Sequence, residues 1–225
     1  MMDGPIMPTL FSTLSSRLRA IGGGAALAAA LGLAAAAPAQ AERPVDPKAE
    51  PPAFMEAIAN NMLDAVKADE RAREGNIPAI TALVERYAMP YVDMDKTTRL
   101  SAGRYWRQAS PQQKAALIEA FKGTLIRTYS GAFTKVDSSS RIDFLPFRGD
   151  PAADDAVVRS TVTQPNGPPV GVDYRLERTK DGWKIYDLGV EGIWLIQNYR
   201  NQFAQQINSS GIDGLIHALS SQNRR

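Results

Sequence analysis

Asp187 and Glu191 stand four residues apart, with Asp181 just ahead of them, and this group of carboxylates is the first feature of the chain that could do chemistry. Inside an apolar pocket one such carboxylate could abstract a proton while the other returned it, as in isomerases. The alternative is structural: the two side chains anchor turns or pair with Arg104 or Arg200 at the rim of a cavity. The structural role is the expected one. Arg104 and Arg200 carry planar guanidinium forks that suit phosphate oxygens, which makes them the head-group candidates should the ligand be a phosphate ester.

The remaining reactive types offer less. His217 is the only histidine, between Ile216 and Ala218; alone it builds neither a metal cage nor a triad, so it is expected at the surface. There is no cysteine, which removes disulfides, thiol nucleophiles and thiolate metal sites. Ser138, Ser139 and Ser140 read as a flexible loop, because no G-x-S-x-G elbow accompanies them. No Gly-rich phosphate loop is present, so any use of ATP belongs to a partner. No catalytic residue, metal or cofactor is therefore expected, and the chain is read as a binder, not an enzyme.

Composition and address agree. Arg17 and Arg19 precede an Ala/Gly/Leu stretch, Ala20 to Ala37, closed by Ala39-Gln40-Ala41. That pattern is an export signal spanning 1–41 with cleavage after Ala41, starting at Met1 or Met7. The formal net charge is +2; removing Arg17, Arg19 and Asp3 with the leader lowers it to +1. Such a balance argues against a nucleic-acid groove.

Elements must position whatever the chain binds. Residues 42–52, with Pro44, Pro47, Pro51 and Pro52, predict an extended linker, and 53–225 the folded domain. Phe54, Ile58, Met62 and Val66 draw one helical stripe running to about Glu74. Gly75 ends that helix and Asn76 caps the next, which stops before Pro90. A short helical stretch covers 96–106. Ser110-Pro111-Gln112-Gln113 is a capping box that opens a long helix to Phe133. Gly123 in its middle predicts a close backbone approach.

Beyond residue 140 the period changes to two, with strands near 141–147, 156–164, 170–178 and 183–190. Asn166-Gly167 and Asp181-Gly182 supply the hairpin turns, and Pro146 places the first strand at an edge. Helices at 193–208 and 212–220, broken by Gly211, close the chain. Helices first and strands later predict an α+β domain, with helices on one face of a curved antiparallel four-stranded sheet.

Taken in order, several stretches resemble one family. They are Gly103-Arg104-Tyr105-Trp106-Arg107 leading into the capping box, Phe121 to Tyr129, Trp183 to Asp187, Glu191-Gly192-Ile193, Asn198 to Phe203, and Gly211 to Leu215. They resemble the MlaC, or toluene-tolerance, proteins of the periplasm, which bind phospholipid. The resemblance implies a cone-shaped domain similar to nuclear transport factor two that encloses an apolar cavity for acyl chains, with the head group near its mouth. It also implies a monomer shuttling phospholipid between the outer and inner membranes to maintain outer-membrane asymmetry. Its implied partners are an inner-membrane Mla-type ABC transporter complex and an outer-membrane lipoprotein–porin complex. Trp194 departs from the Ser usual in the family, which opens the question of local cavity shape.

Exposing acyl tails to water costs about 0.8 kcal/mol per CH₂, on the order of 20 kcal/mol for two chains. A shuttle must therefore present a comparable apolar wall. The expected lining is Leu117, Phe121, Leu125 and Tyr129 on the long helix, Val162, Val172 and Tyr174 on the sheet, and Leu188, Val190, Ile193 and Phe203 near the end. A hopanoid or other apolar cargo, or an isomerase-like enzyme of the same fold, are the alternatives.

Overall fold

The computed structural model describes residues 42–150, 152–165 and 167–224. The expected leader, 1–41, and the Asn166 half of the expected Asn166-Gly167 turn lie outside the described residues.

Helix α1 spans Pro51–Ala68, opening on a proline whose missing N–H costs nothing in the first turn. Its Phe54, Ile58 and Val66 are buried. The expected continuation to Glu74 is broken at Asp69, whose backbone is extended and whose carboxylate accepts from the Arg71 and Ala72 amides to start the short α2, Glu70–Arg73. An Asp in that position competes with the helix backbone and wins as a cap. Asn76 accepts from the Ala79 amide to open α3, Ile77–Tyr87. Helix α4, Met94–Ala102, ends where Gly103 turns to φ +57°, and a 3₁₀ stretch, Gly103–Gln108, follows. Both halves of the predicted capping box at Ser110 and Gln113 are made, and α5 runs Pro111–Phe133. Asn223 lies so close to Gly123 that a Cβ there would sit 2.6 Å from its Nδ2.

Residues 42–50 are not a free linker. The Arg43 backbone exchanges hydrogen bonds with the Asn61 side chain at 2.9 and 2.8 Å, and Glu42 accepts from Arg86 and Tyr87. The Pro47 and Ala49 carbonyls accept from the Trp183 amide and indole at 2.7 and 3.2 Å. Prolines that cannot continue a helix still leave carbonyls free to accept, and here a neighbouring strand and its tryptophan supply the donors.

The sheet has five antiparallel strands in the order β1-β2-β3-β4-β5. They are β1 Arg141–Phe144, β2 Asp155–Thr163, β3 Val170–Thr179, β4 Gly182–Val190 and β5 Ile193–Trp194. The fifth strand, too short to show a period, is the one the alternation did not reveal. The edge strand β1 stops before Pro146, as a residue without a ladder donor requires. The last two expected helices are present, labelled together as α6, Leu195–Asn223, and divided as expected at Gly211, whose backbone leaves the helical region at φ +72°. The Ser138–Ser140 loop is tied down, with the Asp137 carboxylate accepting from Ser139 and Ser140. His217 is exposed. α1 packs on β1 and β2, α4 and α6 on β4, and α5 mainly on α6, α3 and α4.

Candidate functional site: the inner face of the sheet

Register fixes which residues share a face, because directly opposed residues point the same way. One row crosses the whole sheet: Phe144, Ser160, Val172, Val190 and Ile193. The rows below it join Val158, Tyr174 and Leu188, then Ala156, Leu176 and Ile185. This face meets the helices, since Ala156, Val158, Leu176, Trp183 and Ile185 pack with Phe54, Met55 and Ile58 of α1.

Burial changes along that one face. The end under α1 is sealed: Leu176 is 0% and Val158 2% exposed. Toward the other end Val162, Val170, Val172, Tyr174, Leu188 and Val190 are only half-buried although apolar or aromatic and turned inward. Burial also pushes the Tyr174 hydroxyl above its ordinary pKa.

α5 shows the same gradient. Leu117 and Phe121 are sealed among Tyr199, Phe203, Leu195 and Ile207, with Phe121 stacked edge-on to Tyr199 and Phe203 at 4.8 and 4.9 Å. Leu125 and Tyr129, further along the same stripe, are half-buried and pack against that cluster, as does Leu188 of the sheet. The Tyr129 hydroxyl is raised in pKa by burial and by its neighbour Tyr199.

Seven of the expected lining residues fall in this half-open region: Leu125, Tyr129, Val162, Val172, Tyr174, Leu188 and Val190. Leu117, Phe121 and Phe203 do not; they close the helix–helix core with almost no accessible surface. Ile193 is not a wall residue either. It shares the inner row with Val190 but is 62% exposed on the two-residue edge strand, which makes it a lip. Val170 and Ile142 belong to the same face, and alternation along their strands was the available signal.

The carboxylates take structural positions, with partners other than those expected. Asp187 points to the outer face opposite Arg175. Its side chain is 0% exposed, and it accepts from Arg175 at 3.0 Å and from the Leu188 and Ile196 amides at 3.0 and 3.1 Å. Burial pushes its carboxyl above the ordinary aspartate value, a rise opposed by those amides and by Arg175. Glu191, in the left-handed region at φ +50°, accepts from the Gly171 amide. Neither meets Arg104 or Arg200. Trp194 also lies outward: its ring covers Gly189, and the Arg175 guanidinium stacks on it at 3.8 Å. The family departure therefore leaves the inner face unchanged.

Arg104 and Arg200 come together elsewhere, in an open groove of about 680 Å³ between the 3₁₀ stretch and α6. None of the half-buried sheet residues lines it. Among the described residues no cluster of three metal-ligating side chains occurs, and no helix is long and apolar enough to cross a membrane.

The family model for MlaC protein matches residues 56–221. The chain belongs to the MlaC family. It is 31% identical over 157 residues to the toluene tolerance protein ttg2D of Pseudomonas putida, covering 68% of this chain and 70% of that one. It is 22% identical over 170 residues to the intermembrane phospholipid transport system binding protein MlaC of Haemophilus influenzae, covering 74% and 78%. Among solved structures, a phospholipid-binding protein from Ralstonia solanacearum, in complex with a phospholipid, superposes with a TM-score of 0.74 at 38% identity. That match covers 78% of this chain and 98% of the other. As an MlaC protein, this chain sets its incompletely packed apolar face within a fold shared with a lipid complex.

Proposed function

We propose that this MlaC protein binds phospholipid, its acyl tails lying between the half-open inner face of the sheet and the Leu125–Tyr129 segment of α5. The observation that carries this reading is the gradient along one sheet face, sealed at Leu176 and open at Val172, Val190 and Ile193. A packed core has no reason to leave seven inward apolar side chains half-covered, since each would gain by burial. The phospholipid in the Ralstonia solanacearum relative supports the same cargo here.

In this reading residues 1–41 are an export signal removed after Ala41, and the protein works in the periplasm as the soluble component of an Mla-type system. It receives and delivers lipid at an inner-membrane ABC transporter complex and an outer-membrane lipoprotein–porin complex, maintaining outer-membrane asymmetry, with no turnover of its own. Protein purified without detergent should carry phospholipid at close to one molecule per chain by native mass spectrometry. Empty protein under gentle conditions would count against carriage, and a hopanoid in the extract would replace the cargo. Val172→Glu places a charge on the open half and should cut bound lipid roughly tenfold or more while leaving far-UV circular dichroism unchanged.

A further inference from the structure

The groove that holds Arg104 and Arg200 is lined by basic side chains and is separate from the apolar face. One wall is α6, presenting Arg200, Ala204 and Asn208 at intervals of four on a single side; the other is Arg99 and Leu100 of α4 and the Gly103–Arg107 stretch. Gly103 makes that wall possible, because the chain reverses there at φ +57°, a conformation that side chains resist. Four guanidinium groups, those of Arg99, Arg104, Arg107 and Arg200, line the groove, and no carboxylate does.

Two of these charges, Arg104 and Arg200, are held by neutral groups and not neutralised. Arg104 stacks on the Tyr105 ring at 4.9 Å and donates to its hydroxyl at 2.8 Å, and that hydroxyl donates to Asn208 at 2.7 Å. Arg200 donates to the Leu100 carbonyl at 3.1 Å. Both therefore have neutral backstops. Arg99 reaches Asp95 only at 3.9 Å, and among the described residues Arg104, Arg107 and Arg200 make no ion pair. On the outer face of the sheet, by contrast, Arg159 and Arg175 are paired with Asp173 and Asp187. Guanidinium groups fixed in place without counter-charges await an external anion.

We propose that this groove docks an acidic segment of a protein partner, its carboxylates pairing with Arg104, Arg107 and Arg200. A single phosphate would leave most of the volume empty. A flat bilayer surface suits a convex basic face better than a recess whose floor includes Tyr105 and Trp106, both buried. A protruding acidic segment fits both the recess and the charge. The inference rests on the shuttle reading, since a carrier must dock to hand over its cargo.

The test uses the mature protein and a fluorescent oligoglutamate peptide, read by anisotropy, with phosphatidylglycerol vesicles and inorganic phosphate as competitors and bound phospholipid quantified in every sample. The wild type should bind the peptide, lose affinity as salt rises, and keep it when phosphate is added at matched ionic strength. Arg104→Glu with Arg200→Glu should weaken peptide binding roughly tenfold or more with lipid content unchanged. Arg148→Glu, on the exposed segment after β1, should weaken it far less. The proposal is overturned if the peptide does not bind or if Arg148→Glu acts as strongly. It is equally overturned if vesicles, not peptide, bind through these arginines, or if the double variant empties the protein of lipid, which would return Arg104 and Arg200 to the head group. A wild type that binds peptide but never holds lipid would sink the shuttle reading instead.

Discussion

Asp187 shows how one side chain can join three parts of this fold. It sits on β4, pairs across to Arg175 on β3, and reaches the amide of Ile196 in the first turn of α6, whose N-cap residue Trp194 makes no side-chain cap of its own. A carboxylate at that helix terminus satisfies an orphan donor and faces the positive end of the dipole. Asp187→Ala should therefore cost about 1–3 kcal/mol in urea unfolding, the penalty for leaving a buried donor unpaired, with the Arg175 contribution small because that guanidinium is partly in water. The pH dependence runs opposite to the usual aspartate case. Its folded pKa is raised above the ordinary 3.8, so the folded state binds the extra proton and stability falls as pH rises from 3.8 through the raised value. The melting-temperature deficit of Asp187→Asn relative to wild type should therefore be largest below that window and shrink above it; a deficit that grows with pH would contradict the assignment. Spacing alone put Asp187 and Glu191 together, yet they act apart. The irregular register after Arg175 and the left-handed backbone at Glu191 decide their directions, and neither is visible in the residue types.

Among the elements, the capping box, the Gly75 and Gly211 breaks and the four longer strands were legible because each has a local cause, whereas the turn at Gly103 falls inside the stretch expected to be helical over 96–106. Alternation along β3 correctly assigned Val170, Val172, Tyr174 and Leu176 to one face. It could not say that Leu176 is sealed and Val172 half-open, because depth along a strand depends on where α1 ends, a tertiary fact. Leu176→Ala should accordingly cost about 2–5 kcal/mol, while Val172→Ala should change unfolding free energy little, and equal losses at both sites would mean that the face is uniformly packed. The 42–50 segment was misjudged for a similar reason. Its prolines exclude helix, but its carbonyls dock on Trp183, and Gly182 lies against Pro47 at φ +112° with no room for a Cβ. Gly182→Ala should displace the strap and cost at least about 1–2 kcal/mol from the backbone conformation alone, with faster proteolysis near residue 47 as the second readout.

For the whole molecule, the division of the apolar core into a sealed part and an open part predicts how cargo and stability are linked. The helical cluster around Phe121 and the α1–sheet cluster around Trp183 are each closed without help, so the protein should remain folded when emptied. In the proposed reading, the face between them gains cover from the bound lipid. A ligand that binds the folded state alone raises stability by RT ln(1 + [L]/Kd), about 2.7 kcal/mol at a hundredfold excess over Kd. Gentle delipidation should therefore lower the melting temperature by several degrees without abolishing cooperative unfolding, and adding phospholipid back should restore it. The same treatment should change Val172→Glu far less, because that variant holds little lipid to lose. Identical melting curves for loaded and emptied wild type would mean that the apolar face is already covered by protein, and the lipid site would have to be sought elsewhere.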